Sequence, residues 1–213
     1  MKKFMACLIL GALLLCGCKY ERIVPEEQLT EKSGLVYEKD AKKPFTGIAV
    51  RLYPSGEKRG DIHYVQGKRH GKAVLYDKKG NTLLEGAYAD DKMVGEWIGY
   101  IDGKVSMKEV WKQGRQIQYS KYFDNGKPAS EYTLDEDAQI MERTAYSEDG
   151  KTSAKIVIDL KNKTGKLTIF GEEPSESELT LTLSDDKKYW NVKDSNKTMA
   201  RINTETYVFR IAK

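Results

Sequence analysis

The chain has 213 residues and a formal net charge of +4, and 32% of its residues are charged. That length suits one elongated domain or two small ones. Lysines and acids alternate along the chain without a basic block, so the composition gives no reason to expect a nucleic-acid partner.

The N-terminus has the organisation of an export signal. Two lysines precede an apolar stretch, residues 4–15, that is shorter than the about 20 apolar residues needed to span a bilayer. The ending resembles a bacterial lipobox, with Leu15 at the third position before cleavage, Gly17 just before it, and Cys18 as the lipid acceptor. The alternatives are an ordinary secretory signal, or an anchor helix with a chance cysteine.

The lipobox resemblance implies a lipid-anchored protein of the bacterial cell envelope. Residues 1–17 would leave as a signal peptide, and Cys18 would carry diacylglycerol and fatty acyl chains such as palmitate. In a host with two membranes, the outer membrane is the expected location. Cleavage would lower the formal charge to about +2 and remove both other cysteines, which leaves no thiol for a disulfide or a cysteine metal site. Residues 18–33 are predicted to be a polar tether, with a short helix over 26–32 as the alternative.

A repeat of 23 to 24 residues follows. Glycines that close an aromatic turn motif recur at spacings of 24, 23, 23 and 24, a regularity typical of repeat proteins. Half a repeat later lies a second turn signal, at 66–67, 90–91, 113–114 and, more weakly, 136–137. Each repeat therefore predicts two strands of about eight residues in an antiparallel meander. The predicted turn glycines are Gly56, Gly80, Gly103, Gly126 and Gly150.

An apolar or aromatic residue stands eight positions after each turn glycine. These residues should lie at equivalent positions of successive strands and form one ladder along the sheet. A structural role is the first interpretation, and a partly exposed recognition face is the binding hypothesis, for which Trp97 is an additional candidate. The ladder residues are Tyr64, Tyr88, Trp111, Leu134 and Ile158.

The repeat region, residues 34–150, resembles a known family. It is similar to the MORN repeat in the variant form of the YwqK-like antitoxin family, which implies a single-layer twisted sheet of hairpins that binds or scaffolds, without catalytic residues. In the last two repeats, Gln118 and Glu142 replace the strand-opening glycine and Pro128 falls at a strand start, which predicts distorted or marginal pairing. The motifs that carry the resemblance are Phe45-Thr46-Gly47, residues 53–58, residues 64–71, and Gly95-Glu96-Trp97.

Residues 151–213 keep alternating strands after the repeat fades. They are predicted to be either an atypical cap of the repeat array or a small separate β domain. The predicted strands are residues 154–160, 166–170, 178–183, 188–192 and 206–211.

The sequence lacks the usual residue constellations of catalysis. Its two histidines, His63 and His70, lie on opposite sides of one turn and are better interpreted as structural than as catalytic bases. Paired acids lie at turn signals, where backbone conformation favours them. Neither a calcium loop nor a zinc motif is found, so no metal and no cofactor is predicted.

These observations predict an all-β, membrane-anchored lipoprotein that acts as a non-catalytic binding or scaffold module. Its partners would be the membrane, through Cys18, and an envelope or secreted protein. The alternative is an antitoxin or immunity protein that neutralises a toxin acting in the envelope. An envelope hydrolase or carbohydrate-processing enzyme is the least favoured reading.

Overall fold

The computed structural model describes residues 22–195, 197–203 and 206–211. The predicted signal peptide and Cys18 lie outside these residues. The strands are β1 (Ile23–Pro25), β2 (Leu29–Lys32), β3 (Leu35–Glu38), β4 (Gly47–Leu52), β5 (Lys58–Val65), β6 (Lys68–Tyr76), β7 (Thr82–Ala89), β8 (Lys92–Ile101), β9 (Lys104–Lys112), β10 (Arg115–Tyr122), β11 (Pro128–Asp135), β12 (Ile140–Tyr146), β13 (Thr152–Asp159), β14 (Thr164–Ile169), β15 (Ser175–Leu183), β16 (Tyr189–Asp194), β17 (Lys197–Asn203) and β18 (Phe209–Ile211).

One long open sheet forms the molecule. From β4 to β18 every strand pairs antiparallel with the next strand in the chain, and β1 pairs in parallel with the outer side of β4. Strands β2 and β3 form a separate two-stranded sheet. Among the described residues the only helical element is a 3-10 turn, Glu26–Gln28. The prediction of an all-β antiparallel meander is confirmed.

Turn chemistry explains the meander. The two-residue turns Gln66–Gly67, Asp90–Asp91, Asp102–Gly103 and Gln113–Gly114 have positive φ at both positions, as type I′ hairpins require. Four other connections are loops of five residues, 53–57, 77–81, 123–127 and 147–151. In each of these four loops a glycine at positive φ donates its backbone N–H to the carbonyl oxygen of the loop's first residue. All five predicted turn glycines have φ between +75° and +98°.

The N-terminal strands are interrupted by bulges. Between β5 and β6 one residue, His63, stands opposite three residues around Gly71. Between β7 and β8, Gly86 stands opposite the three residues from Gly95 to Trp97. Gly71 and Gly95 have φ of +95° and +66°, so the strand-opening glycines supply the backbone conformation that these bulges use.

Strands β11 and β12 pair without interruption, from Ser130 opposite Ala145 to Asp135 opposite Ile140. The expectation of marginal pairing is therefore wrong for these two strands, whereas the expected distortion is present beside Gln118 and at Pro128, where the register shifts. Pro128 is the first residue of its strand, where a missing N–H is tolerated. Without the glycine, position 142 continues a regular ladder.

The segment expected to be a tether is folded from residue 22 onward. Ile48 donates its backbone N–H to the Arg22 carbonyl oxygen at 2.7 Å, and β1 extends the sheet beside β4. The β2–β3 hairpin lies over the inner face, because Val24, Leu29 and Val36 join the N-terminal core. That core contains Val24, Phe45, Ala49, Ile62, Tyr64, Ala73, Trp97 and Trp111.

A second, mostly aliphatic core lies between β11 and β17. Met141 and Ile158 on its central strands are 2% and 1% exposed. The sheet curls here, since the Tyr132 hydroxyl lies 3.2 Å from the carbonyl oxygen of Tyr207, 75 residues later. The sheet continues through Gly150 from β12 to β13, and β17 is a strand that the sequence reading missed. The core residues are Tyr132, Leu134, Met141, Ile158, Leu167, Leu179, Leu181, Val192, Ala200 and Ile202.

Candidate binding groove

The aromatic ladder belongs to the N-terminal core. Tyr64 and Trp111 are each 8% exposed, Trp97 is 3% exposed, and Tyr88 is half-buried. The Tyr88 and Trp97 rings meet edge to face, with centroids 5.0 Å apart. The expectation that Trp111 is partly exposed on a single layer is therefore wrong, because the β2–β3 hairpin and the hairpin ends supply cover that the sequence reading did not identify.

Gly86 in β7 makes room for the indole ring of Trp97. A Cβ on Gly86 would overlap the indole ring, so the close approach of the ring to the backbone requires glycine there. The Trp97 Nε1–H donates to the Ala87 carbonyl oxygen at 3.1 Å, which satisfies the one polar atom of the buried ring.

Three hairpin ends lie side by side in a row at one end of the strands of the sheet. We call them tip 1 (residues 64–69), tip 2 (residues 88–93) and tip 3 (residues 111–116). The two residues at the base of each tip are paired: Tyr64 with Arg69, Tyr88 with Met93, and Trp111 with Gln116. Each ladder aromatic therefore begins a tip.

Backbone hydrogen bonds join the tips to one another. The Asp91 N–H donates to the Arg69 carbonyl oxygen at 3.0 Å, and the Gly114 N–H donates to the Met93 carbonyl oxygen at 2.9 Å. Tip 1 is fixed to the β2–β3 hairpin, since Val36 N–H donates to the Gly67 carbonyl oxygen at 2.9 Å. The row is therefore a rigid wall built from main chain.

An ion pair reinforces the junction of tips 1 and 2. Both the backbone N–H and the Nε–H of Arg69 donate to Asp91 Oδ1 at 3.0 Å, and Arg69 Nη2 donates to the Asp91 carbonyl oxygen at 3.1 Å. The same guanidinium lies over the Tyr88 ring, 4.4 Å from its centroid, in a cation–π contact.

The row borders a groove of two adjoining hollows, about 770 and 480 Å3 in volume, both of which are lined by Arg69 and Asp91. The β2–β3 hairpin bounds the smaller hollow, and Thr206 of the loop before β18 lines the larger one. The larger hollow is lined by Arg69, Tyr88, Asp91, Lys92, Met93, Trp111, Lys112, Gln113, Gly114, Arg115, Glu136 and Thr206.

The rim of the larger hollow is basic. It carries four cations and two acids, and the acids are tied to cations: Asp91 to Arg69, and Glu136 to both Lys112 and Arg115. The Lys112 and Arg115 side chains are 64% and 51% exposed, whereas Glu136 is 23% exposed. These two cations lower the pKa of Glu136, so its carboxylate stays ionised at neutral pH. Lys92 has no ion-pair partner among the described residues.

A polar cluster beneath tip 3 was not predicted from the sequence. Glu109 accepts hydrogen bonds from Trp111 Nε1 at 2.8 Å and from Gln116 Nε2 at 3.0 Å. Gln116 is 4% exposed, and its backbone N–H donates to the Thr206 carbonyl oxygen at 2.8 Å. Burial raises the pKa of Glu109, against the lowering effect of the two donors. The sequence contains one indication of this cluster. Glu109 stands two residues before Trp111 and therefore lies on the same face of the strand as the ladder.

The remaining predicted polar candidates do not form a catalytic arrangement. His70 Nδ1 lies 3.5 Å from Asp90 Oδ1 across tips 1 and 2, and both side chains are exposed. His63 stands in the bulge opposite Gly71. Within the part of the chain that the structure describes, no three His, Cys, Asp or Glu side chains are grouped to hold a metal ion.

Comparisons with known proteins add little to this geometry. No family model matches the sequence, and no curated protein does. One solved structure, a crystal structure of a GtfA/B complex bound to UDP and GlcNAc, is similar at 18% identity over 70% of this chain, with a TM-score of 0.17. This chain spans 23% of that chain, and at such a TM-score neither fold nor function is transferable.

The described residues contain no helix long and apolar enough to cross a membrane.

Proposed function

We propose that the protein is a lipid-anchored, non-catalytic binding module of the bacterial cell envelope, with the groove along the tip row as its binding site. The observation that carries the proposal is the groove itself. Its wall is main chain joined by hydrogen bonds from the β2–β3 hairpin to tip 3. A site that is already ordered loses little conformational entropy when a partner binds.

The residues around the groove suit recognition better than reaction. Tyr88 and Met93 provide apolar contact area, while cations project from the rim. The two carboxylates with perturbed pKa values here, Glu109 and Glu136, are both held by structural partners, so neither is placed to transfer a proton to a bound molecule. Binding without chemistry is what such a surface supports.

The three tips also support the MORN-type interpretation of the repeats. Each aromatic at a tip base follows the repeat spacing, and the glycines Gly71 and Gly95 lie at two of the bulges. In this proposal the anchor at Cys18 keeps the groove in the envelope, where its partner is another envelope or secreted protein. If that partner is a toxin, the protein acts as an immunity factor.

Two measurements on the full-length protein test the proposal. Cys18→Ser should abolish lipid labelling and release the protein from membranes; persistence in the membrane after a carbonate wash would disprove the lipoprotein assignment. A photo-crosslinking amino acid at Lys112, the groove end of β9, should give one dominant adduct in cells. The matched position is Lys104, at the opposite end of the same strand. Equal adducts from both positions, or none from Lys112, would contradict the groove assignment.

A further inference from the structure

We infer that the larger hollow of the groove takes an extended acidic peptide segment of its partner, with carboxylates on the basic rim and apolar side chains on the floor. This inference rests on the proposed function and names the chemistry of the ligand. It is carried by the charge of the rim, by the limited exposure of the aromatic rings in the floor, and by the residues that line the larger hollow.

The charge that lines the larger hollow is positive, with four cations against two acids, although the whole chain is nearly balanced. The smaller hollow differs, because three acids and only two cations line it: Glu26, Glu31, Asp91, Arg51 and Arg69. Lys92 projects without an ion-pair partner among the described residues, and Lys112 and Arg115 share one recessed carboxylate, Glu136. Two cations on one acid leave net positive charge at the surface. Acidic side chains are the complementary groups, and guanidinium and ammonium groups both bind carboxylates through charge-assisted hydrogen bonds.

The aromatic residues of the floor do not offer the open faces that stack against sugar rings. Arg69 lies over the Tyr88 ring. Trp111 is 8% exposed, and its indole N–H is bonded to Glu109. What the floor presents is ring edges and the Met93 side chain, whose flexible thioether adapts to varied apolar side chains. These contacts favour a peptide over a glycan.

The larger hollow is lined by residues of all three tips, so it offers contacts to a segment rather than to one side chain. The two hollows meet at Arg69 and Asp91, and the larger has about 770 Å3. The β2–β3 hairpin lies beside one hollow and Thr206 beside the other. A chain that lies along this groove passes tips 1, 2 and 3 in turn.

Fluorescence polarisation with a labelled peptide of alternating glutamate and valine tests the inference on purified full-length protein. We expect saturable binding that weakens with salt, and no binding of the matched lysine–valine peptide. The double variant Lys92→Glu, Arg115→Glu should lower the affinity about tenfold, since each reversal replaces an attraction with a repulsion. The matched control is Lys104→Glu, Lys121→Glu, which reverses two exposed cations at the other end of the strands, away from the tips.

Three outcomes would overturn the inference. These are equal loss in the control variant, no saturable binding of the glutamate peptide, and competition by polygalacturonate as effective as that by polyglutamate, which would indicate an acidic glycan. If the peptide fails while Lys112 still gives its cross-linked partner, only the ligand class is wrong. If Lys112 gives no partner either, the proposed function fails as well. Circular dichroism of each variant should match the wild-type protein.

Discussion

The two halves of this sheet bury their inner faces by different means. In β4–β9 the face is built on large aromatic side chains, the strands are broken by bulges, and a separate hairpin lies on top. In β11–β17 the face is mostly aliphatic, and the sheet covers itself by curling. Here β11–β12, β13–β14 and β14–β15 pair in unbroken register, and β12–β13 shifts only at its end, between Ala145 and Tyr146. The loop before β18 connects the halves, with Tyr207 in one core and Val208 in the other.

The difference shows what a bulged strand provides to a repeat protein. Where a glycine interrupts the register, each hairpin end contacts its neighbour through its own backbone, and the aromatic at its base turns into the core. Side chains at the tip edge remain outside and form the rim of a groove. Where the register is regular, the inner face closes on itself, and its central residues, such as Met141 and Ile158, are almost fully buried.

The largest effect we expect comes from the aromatic core. Trp111→Ala should lower the free energy of unfolding by about 3 to 5 kcal/mol, the range for a large aromatic removed from a packed core. Trp111→Phe keeps a ring and should cost clearly less. Chemical denaturation measures both. A loss below about 1 kcal/mol for the alanine variant would mean that the N-terminal half is not a packed core of the kind described.

The bulge glycines should respond differently from their counterparts in the regular half. A Cβ on Gly95 would meet no atom within 4 Å, so Gly95→Val tests only the strain of φ at +66°. We expect a loss of about 1 to 3 kcal/mol. Glu142→Val, at the repeat position without a bulge, should cost about 1 kcal/mol or less because it removes only a surface ion pair with Lys155. Equal losses of stability in the two variants would show that the glycine bulges do not distinguish the two halves of the sheet.

The connection between the halves depends on the Tyr132 hydroxyl. It lies 3.2 Å from the carbonyl oxygens of both Gln116 and Tyr207. Tyr132→Phe should therefore cost about 0.5 to 1.5 kcal/mol and increase amide hydrogen exchange near residue 207. Tyr146→Phe removes a hydroxyl that bonds to Glu131, and it should leave exchange near residue 207 unchanged. If both variants behave alike, the hydroxyl of Tyr132 does not connect the halves.

The smallest effect concerns pH, and two glutamates should show opposite signs. Burial raises the pKa of Glu109 above its ordinary value of about 4.5, so the folded protein loses stability as the pH rises through the raised value. Relative to wild type, Glu109→Gln should therefore become more stable as the pH rises above about 4.5.

Glu136 provides the comparison for that experiment. Lys112 and Arg115 lower its pKa, so its contribution is present at neutral pH and is lost as the pH falls below about 4.5. Relative to wild type, Glu136→Gln should become less stable as the pH rises to about 4.5, and the deficit should then persist to neutral pH. Thermal unfolding of both variants from acid to neutral pH measures the signs, and the same sign for both would contradict the burial assigned to Glu109.

The local features of this protein are readable in its sequence. The spacing of Gly56, Gly80, Gly103, Gly126 and Gly150 located the turns, because positive φ is a local requirement that few residues other than glycine meet. The alternation between turns placed Tyr64, Tyr88, Trp111, Leu134 and Ile158 on one face, since side chains in a strand change faces with each residue. Both signals depend only on neighbours in the chain.

What covers that face was decided by the tertiary structure. Residues 18–33 look like a polar tether, yet Val24 and Leu29 of that segment pack in one cluster with Phe45 and Tyr64. Pairing between residues as distant as Tyr132 and Tyr207 has no local signature, because it depends on the accumulated twist and curl of the intervening strands. The burial of Trp111 and the raised pKa of Glu109 follow from those distant contacts, so neither could be predicted from periodicity alone.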